Sequence, residues 1–197
     1  LMDNHYHLGL ETGEPNLSRA MQWLNVSYSM WFNRRHQRSG HLFQGRFQAV
    51  LVDWPGWGLE LTRYMHLNPV RVKELGLSKA DRGRHRQGVG KGADREVGLA
   101  RLEALNGYRW SSYGATIGRE MAASWLKVGK VLELMPGRKL GQRQREYQAW
   151  VEGALLQGLS ESPWEQLRGQ VVLGSEEFVA ELEPLLKGNR REQGDLE

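Results

Sequence analysis

Cysteine is absent from the 197 residues of this sequence. Disulfides, thiolate metal sites and cysteine nucleophiles are therefore excluded within it. The sequence also lacks any apolar run approaching the ~18 residues that a membrane-spanning helix requires. It shows no basic start followed by an apolar stretch, so no signal peptide is expected. From these absences we predict a cytoplasmic protein.

Acidic residues are scarce in one part of the chain and abundant in another. The formal net charge is +4, but residues 1–75 carry 8 basic and 6 acidic side chains, residues 76–147 carry 15 and 7, and residues 148–197 carry 4 and 10. An excess of eight positive charges in the middle can attract a polyanion, whereas the acidic end would not. A solvated insertion is the alternative explanation for such a charge run.

The hydrophobic pattern predicts a mixture of strands and helices. Residues His5–Glu11 alternate as a half-buried strand does, and Phe47–Asp53 is rich in strand-forming residues. Apolar residues recur at helical spacing between Leu17 and Phe32. Pro69 disfavours helix at the residue before it, so a helix that carries Tyr64 is expected to end there. Further helices are predicted at about 95–105, 121–134, 141–156 and 176–186, and residues 76–94 are predicted to form a basic loop.

The residues best suited to catalysis or metal binding are two histidines near the start of the sequence and two residues of a later helix. Side chains of a strand alternate between its faces, so His5 and His7 point the same way and can hold one divalent cation. Tyr64 and Asn68 lie four residues apart, so on a helix they share a face. A metal ion held by two imidazoles, beside a tyrosine hydroxyl and an amide, suits nucleophilic attack on a phosphodiester.

Three segments occur in an order that resembles one known family. They are Met2-Asp3-Asn4-His5-Tyr6-His7-Leu8, then Gly40-His41-Leu42-Phe43-Gln44-Gly45-Arg46-Phe47, then Arg63-Tyr64-Met65-His66-Leu67-Asn68-Pro69-Val70-Arg71. The series is similar to the HUH single-strand transposases with one catalytic tyrosine, especially the REP-associated tyrosine transposases. The resemblance covers residues 1–75, and Tyr108-Arg109-Trp110-Ser111-Ser112-Tyr113 resembles the family's next landmark.

The resemblance implies an α+β protein with a ferredoxin-like HUH core, followed by a mostly helical extension. On this basis we expect a partial catalytic domain over residues 1–75, a basic insertion and linking segment over 76–118, and a helical extension over 119–197. In that family a strand, a helix and a second strand precede the His-X-His strand. We therefore expect the sequence to lack its amino-terminal β-α-β part.

The same resemblance assigns roles residue by residue. It implies that His5, His7 and Asn68 hold Mg²⁺ or Mn²⁺. Tyr64 would then attack single-stranded or hairpin DNA, including repetitive palindromic elements, and form a 5′-phosphotyrosine bond. Two imidazoles alone would also suit zinc. Arginine pairs well with phosphate oxygens, and the candidate DNA contacts are Arg34, Arg35, Arg38, Arg46, Arg63 and Arg71.

Three alternatives to this DNA nickase and strand transferase remain open from the sequence. The chain could be an inactive module that binds DNA hairpins, or a truncated fragment without function. It could also hydrolyse DNA through a metal-bound water, which would not require Tyr64. Among nearby residues, His66 is expected to face away from Tyr64 and to pack or contact DNA. Trp110 and Tyr113 are expected either to stack on unpaired bases or to anchor the extension to the core.

Overall fold

The computed structural model describes residues 1–72, 75–77, 95–157, 162–169, 171–182 and 184. The described chain is a mixture of helix and strand in which helix dominates. Its elements are α1 (Leu17–Arg35), β1 (Leu51–Val52), α2 (Trp54–Leu67), a 3₁₀ turn (Asn68–Val70), α3 (Arg95–Gly107), α4 (Tyr113–Thr116), α5 (Val128–Leu132), α6 (Leu140–Gln157), a second 3₁₀ turn (Pro163–Gln166) and β2 (Val172–Leu173). No helix in the described part of the chain is long and apolar enough to cross a membrane.

The chain divides into two compact units, of which residues 8–50 form the smaller. Helix α1 is its main element and confirms the helix predicted after Leu17. Met21 is the buried residue of α1. Tyr28 contacts Trp31 and Phe43 through its ring. This unit also holds four of the six arginines predicted to contact DNA.

The larger unit comprises Leu1–His7 and Leu51–Glu197, and α2 is the element that carries the candidate site. Asp53 caps this helix, and its side chain accepts a hydrogen bond from the backbone N–H of Gly56 at 3.4 Å. Pro55 lies in the first turn, where its missing N–H breaks no helical bond. The α-helix ends at Leu67, and the chain continues as the 3₁₀ turn. The predicted end of this helix near Asn68 is therefore confirmed.

A two-stranded parallel sheet joins distant parts of the sequence. Leu51 of β1 pairs with Val172 of β2, and Val52 pairs with Leu173. The backbone N–H of Asp53 donates to the carbonyl of Leu173 at 2.8 Å. The pairing therefore fixes the carboxyl-terminal segment against the residue that caps α2. The predicted strand over Phe47–Asp53 is much shorter than expected, because only these two residues find a partner.

The main core lies where α2, α3, α5 and α6 converge. It consists of Leu67, Val70, Leu77, Leu105, Tyr113, Leu132, Met135, Tyr147, Val151, Ala154 and Leu155. Arg101 is 4% exposed within this assembly, and it donates to the carbonyls of Leu75 at 2.9 Å and Leu155 at 3.1 Å. A buried guanidinium is tolerated because these carbonyls replace its hydration. It joins α3 to α6 and to the segment after α2.

Two predicted elements are wrong. Residues His5–Glu11 form no strand, because an alternating pattern yields a strand only where a ladder of backbone hydrogen bonds to a neighbouring strand is made. The helix predicted over 121–134 is reduced to Val128–Leu132. A turn interrupts it, since the N–H of Leu126 donates to the carbonyl of Ala123 at 2.9 Å.

The other carboxyl-terminal predictions fare better. Helices α3 and α6 confirm the segments predicted near 95–105 and 141–156. Residues 176–182 are helical, as expected, and most of the remaining predicted helix lies outside the described residues. The predicted basic loop at 76–94 also lies outside them, except for residues 76–77. The described residues confirm a mixture of helix and strand in which helix dominates, but one two-stranded parallel sheet among them does not confirm a ferredoxin-like core.

Candidate functional site

The amino-terminal histidines lie beside α2, within the larger unit. The rings of His5 and His7 have centroids 5.0 Å apart and are nearly perpendicular, at 89°. The His7 ring lies 5.8 Å from that of Tyr64. Asn68 Nδ2 lies 3.4 Å from His5 Nε2. The four predicted residues His5, His7, Tyr64 and Asn68 are therefore brought together, although the first pair lies in a segment without regular structure.

The end of α2 explains why Tyr64 and Asn68 share one side. Asn68 is the first residue of the 3₁₀ turn, yet its backbone stays in the right-handed helical region, with φ −56° and ψ −40°. Residues four apart therefore still lie on the same side of the helix at this point, despite Pro69. His66 points elsewhere and is 2% exposed. The prediction that it packs away from Tyr64 is thus confirmed.

The two imidazoles that are candidate metal ligands differ in their hydrogen bonds. His5 is exposed, and its Nδ1 lies 2.7 Å from the side-chain oxygen of Asn4. An Nδ1–H donated to that oxygen leaves Nε2 as an acceptor, and this atom faces Asn68 Nδ2 at 3.4 Å. The same tautomer is the one that ligates metals through Nε2. The Nε2 atom of His7 is buried and has no hydrogen-bond partner among the described residues. Burial, and then the neighbouring His5, lower the pKa of His7, so this ring stays neutral and able to act as a ligand.

The donor set fits a divalent cation. A buried polar atom without a partner is costly, at ~1–3 kcal/mol, and a bound cation would give His7 Nε2 a partner. Two imidazole nitrogens and the Asn68 amide make three donors, provided that the amide turns its oxygen toward the cation in place of the Nδ2 that faces His5 Nε2. No group of three or more His, Cys, Asp or Glu side chains suited to a metal occurs among the described residues. A metal here would therefore depend on the amide as its third ligand.

Trp164 is a member of this cluster that the sequence did not indicate. It lies in the second 3₁₀ turn, with its ring centroid 5.5 Å from that of Tyr64 at 81°. It also stacks on His7, at 6.2 Å and 23°. Ser162-Pro163-Trp164 has the composition of a turn, which is the only local signal. Nothing local predicts that this turn reaches α2.

The arginines predicted to contact DNA fall into two groups. Arg71 lies over the ring of Tyr64, with its guanidinium carbon 4.5 Å from the ring centroid. Arg63 lies 4.1 Å from the centroid of Trp150 and forms an ion pair with Glu60, so protein contacts occupy it. The remaining four, in the smaller unit, are exposed: Arg34, Arg35, Arg38 and Arg46.

The two aromatic residues of the 108–113 segment behave differently. Tyr113 is 2% exposed, and its hydroxyl donates to Glu152 of α6 at 3.1 Å. It therefore anchors α4 to α6, which agrees with the predicted anchoring role and not with the stacking on bases that was the alternative. Trp110 is 57% exposed, with the guanidinium carbon of Arg109 4.8 Å from its ring centroid. Its predicted stacking on bases stays a prediction.

Comparisons of this chain with protein-family models, with curated proteins and with solved structures found no match. The residues of the site and their geometry therefore carry the functional argument.

Proposed function

We propose that this chain is the catalytic part of a tyrosine transposase that nicks and joins single-stranded or hairpin DNA. The single observation that supports this most is the convergence of His5, His7 and Asn68 beside Tyr64. A phenol next to two imidazoles and an amide provides both a nucleophile and ligands for a cation. A tyrosine that served packing alone would not need two imidazoles and an amide beside its ring.

The proposed reaction exchanges one phosphodiester for another. The Oη atom of Tyr64 attacks the phosphorus and loses its proton, while the bond from phosphorus to the 3′ oxygen breaks. The 3′ oxygen takes up a proton and leaves as a hydroxyl, and the 5′ side of the cut remains bound as a phosphotyrosine. A second 3′-hydroxyl reverses the step and joins a new strand. Bond energy is conserved in the ester, so no external energy source is needed.

Mg²⁺ or Mn²⁺ is the proposed cofactor, with His5, His7 and Asn68 as its ligands. When bound there, such a cation would polarise a phosphoryl oxygen and stabilise the charge that develops at phosphorus. Arg71 is suited to a supporting role because its guanidinium lies over the Tyr64 ring. Held there, it can pair with a phosphate that approaches the tyrosine.

The proposed partner is single-stranded or hairpin DNA, and repetitive palindromic elements are its proposed source. No Asp or Glu occurs between Glu14 and Asp53, whereas this stretch carries five arginines. All five are exposed in the smaller unit, and four of them are the predicted DNA contacts Arg34, Arg35, Arg38 and Arg46. A continuous absence of acidic side chains favours contact with a phosphate backbone.

A covalent-trapping experiment tests the proposed reaction. The chain is incubated with Mn²⁺ and a pool of 3′-labelled single strands and hairpins, and a labelled protein band that survives denaturation is measured. Tyr64→Phe should abolish this band while DNA binding is kept. Tyr28→Phe is the control, since Tyr28 is an exposed tyrosine of the smaller unit.

The same experiment separates the alternatives. Strand cleavage that is unchanged in Tyr64→Phe would establish hydrolysis by bound water. DNA binding without any adduct or cleavage in the unmodified chain would establish the inactive hairpin-binding module. Neither binding nor an adduct would establish a fragment without this function.

A salt titration tests the proposed DNA contacts. Replacing Arg34 and Arg35 together with glutamine should lower the slope of log affinity against log salt by ~1.4, since each lost contact to a single strand contributes ~0.7. The matched control replaces Arg190 and Arg191, an adjacent pair in the acidic segment, by glutamine. An equal change in both variants would contradict a specific role for the first pair.

A further inference from the structure

Trp164 contacts two residues of the candidate site although it is not fully buried. Its ring meets the edge of Tyr64 and stacks on His7, and it is itself only half-buried. The ring of Tyr64 is thus flanked by Trp164 and His7, with Arg71 over it. An aromatic ring held by several neighbours has few orientations open to it.

The backbone holds Trp164 in place relative to α2. The buried Pro163 precedes it, and the N–H of Glu165 closes the turn on the carbonyl of Ser162 at 2.9 Å. Strand β2 follows shortly after this turn and pairs with β1. Since β1 leads directly into the capping residue of α2, the tryptophan and the tyrosine are attached to the two strands of one small sheet.

We infer that Trp164 is a positioning residue, which holds the Tyr64 ring and the His7 imidazole in the arrangement that the nicking reaction uses. This inference rests on the proposed function. A nucleophile must be held close to its attack geometry, and a displacement of about 1 Å can reduce the rate on the order of 100-fold. Trp164 is proposed to touch neither phosphate nor cation, and to act through the two rings that it contacts.

The test compares Trp164→Ala and Trp164→Phe with Trp125→Ala, in the full chain. Trp125 is 76% exposed and serves as a matched control in the same unit. Adduct formation is followed with Mn²⁺ at saturating labelled DNA, and DNA affinity is measured separately. Trp164→Ala should slow adduct formation on the order of 100-fold without changing DNA affinity. Trp164→Phe keeps an aromatic ring and should recover most of the rate.

The ring resonances of His7 and Tyr64 provide a second measurement that does not depend on activity. Nuclear magnetic resonance of the three variants should show both resonances moved in Trp164→Ala and unmoved in Trp125→Ala. Unmoved resonances in Trp164→Ala would overturn the inference, since the contacts would then be absent.

Four outcomes of the adduct and binding measurements would also count against the inference. An unchanged rate in Trp164→Ala would overturn it, as would a Trp164→Phe rate as low as that of the alanine variant. A loss confined to DNA affinity would instead make Trp164 a base-stacking residue. If the unmodified chain forms no adduct at all, the proposed function fails, and the role of Trp164 in it fails with it.

Discussion

Two clusters of histidine and tyrosine lie along α2, and they differ in whether their polar atoms have partners. In the core, His66 Nδ1 lies 2.8 Å from the hydroxyl of Tyr147, and its Nε2 lies 2.9 Å from the hydroxyl of Ser112. At the candidate site, His7 Nε2 is buried and accepts no hydrogen bond from any residue that the structure describes. The same residue types are therefore fully paired in one region and incompletely paired in the other.

This difference separates a structural role from a proposed functional one. Burial lowers the pKa of His66 to about 3, so it remains a neutral group that links α2 to α4 and α6. Its two hydrogen bonds remove the penalty of burying it. A buried ring nitrogen that the fold leaves unpaired has a lone pair available for a ligand. Substitutions in the core cluster should therefore lower stability, and substitutions at the candidate site should lower the affinity for a ligand.

The largest expected effect is on stability, from His66→Ala. The change creates a cavity and leaves the hydroxyl of Tyr147 without its partner, so the free energy of unfolding should fall by about 3 kcal/mol. Urea denaturation provides the measurement. The control is His5→Ala, an exposed histidine whose replacement should change stability by less than ~0.5 kcal/mol. Equal losses in the two variants would contradict the comparison.

Tyr147→Phe should have a smaller effect of the same kind. Tyr147 is 0% exposed, and removal of its hydroxyl keeps the ring packing but leaves His66 Nδ1 unpaired. We expect a loss of about 2 kcal/mol in the free energy of unfolding. Tyr28→Phe, at an exposed position, should leave it nearly unchanged. A loss of less than about 0.5 kcal/mol in Tyr147→Phe would mean that the buried hydrogen bond contributes little.

His7→Ala should weaken metal binding and largely keep stability, whereas His66→Ala should lower stability. In the described part of the chain His7 Nε2 has no hydrogen bond to lose, so stability should change by less than ~1 kcal/mol, the scale of its ring contacts. Binding of Mn²⁺, followed by electron paramagnetic resonance, should weaken at least about tenfold, or ~1.4 kcal/mol. His66→Gln provides the control for unaltered Mn²⁺ affinity. Unchanged Mn²⁺ binding in His7→Ala would remove His7 from the proposed ligands.

Local sequence patterns predicted most of the helices. Helix α1 follows from apolar spacing, and the end of α2 follows from Pro69, because both are determined by residues close in sequence. The proximity of Tyr64 and Asn68 follows from the helical repeat for the same reason. The placement of His5 and His7 beside them could be expected only from the resemblance, since no local rule links residues so far apart.

The missed features depend on contacts between distant segments. The pairing of Leu51–Val52 with Val172–Leu173 has no local signature, and neither does the placement of Trp164 against Tyr64. The alternating pattern at His5–Glu11 predicted a strand, yet strands form only where a neighbour supplies hydrogen bonds. The turn at Ala123 similarly overrides the helix expected from the residues around it. Long-range pairing therefore limits what the pattern alone could predict.

Identification of the residue that becomes bound to DNA tests the central claim most directly. The unmodified chain is trapped with Mn²⁺ and oligonucleotides, digested with a protease, and the peptide that carries a nucleotide is sequenced by mass spectrometry. The account predicts a phosphodiester on Tyr64, with the 5′ phosphate of the cut strand attached to its oxygen. A nucleotide on any other residue, or cleaved DNA with no modified peptide, would contradict it.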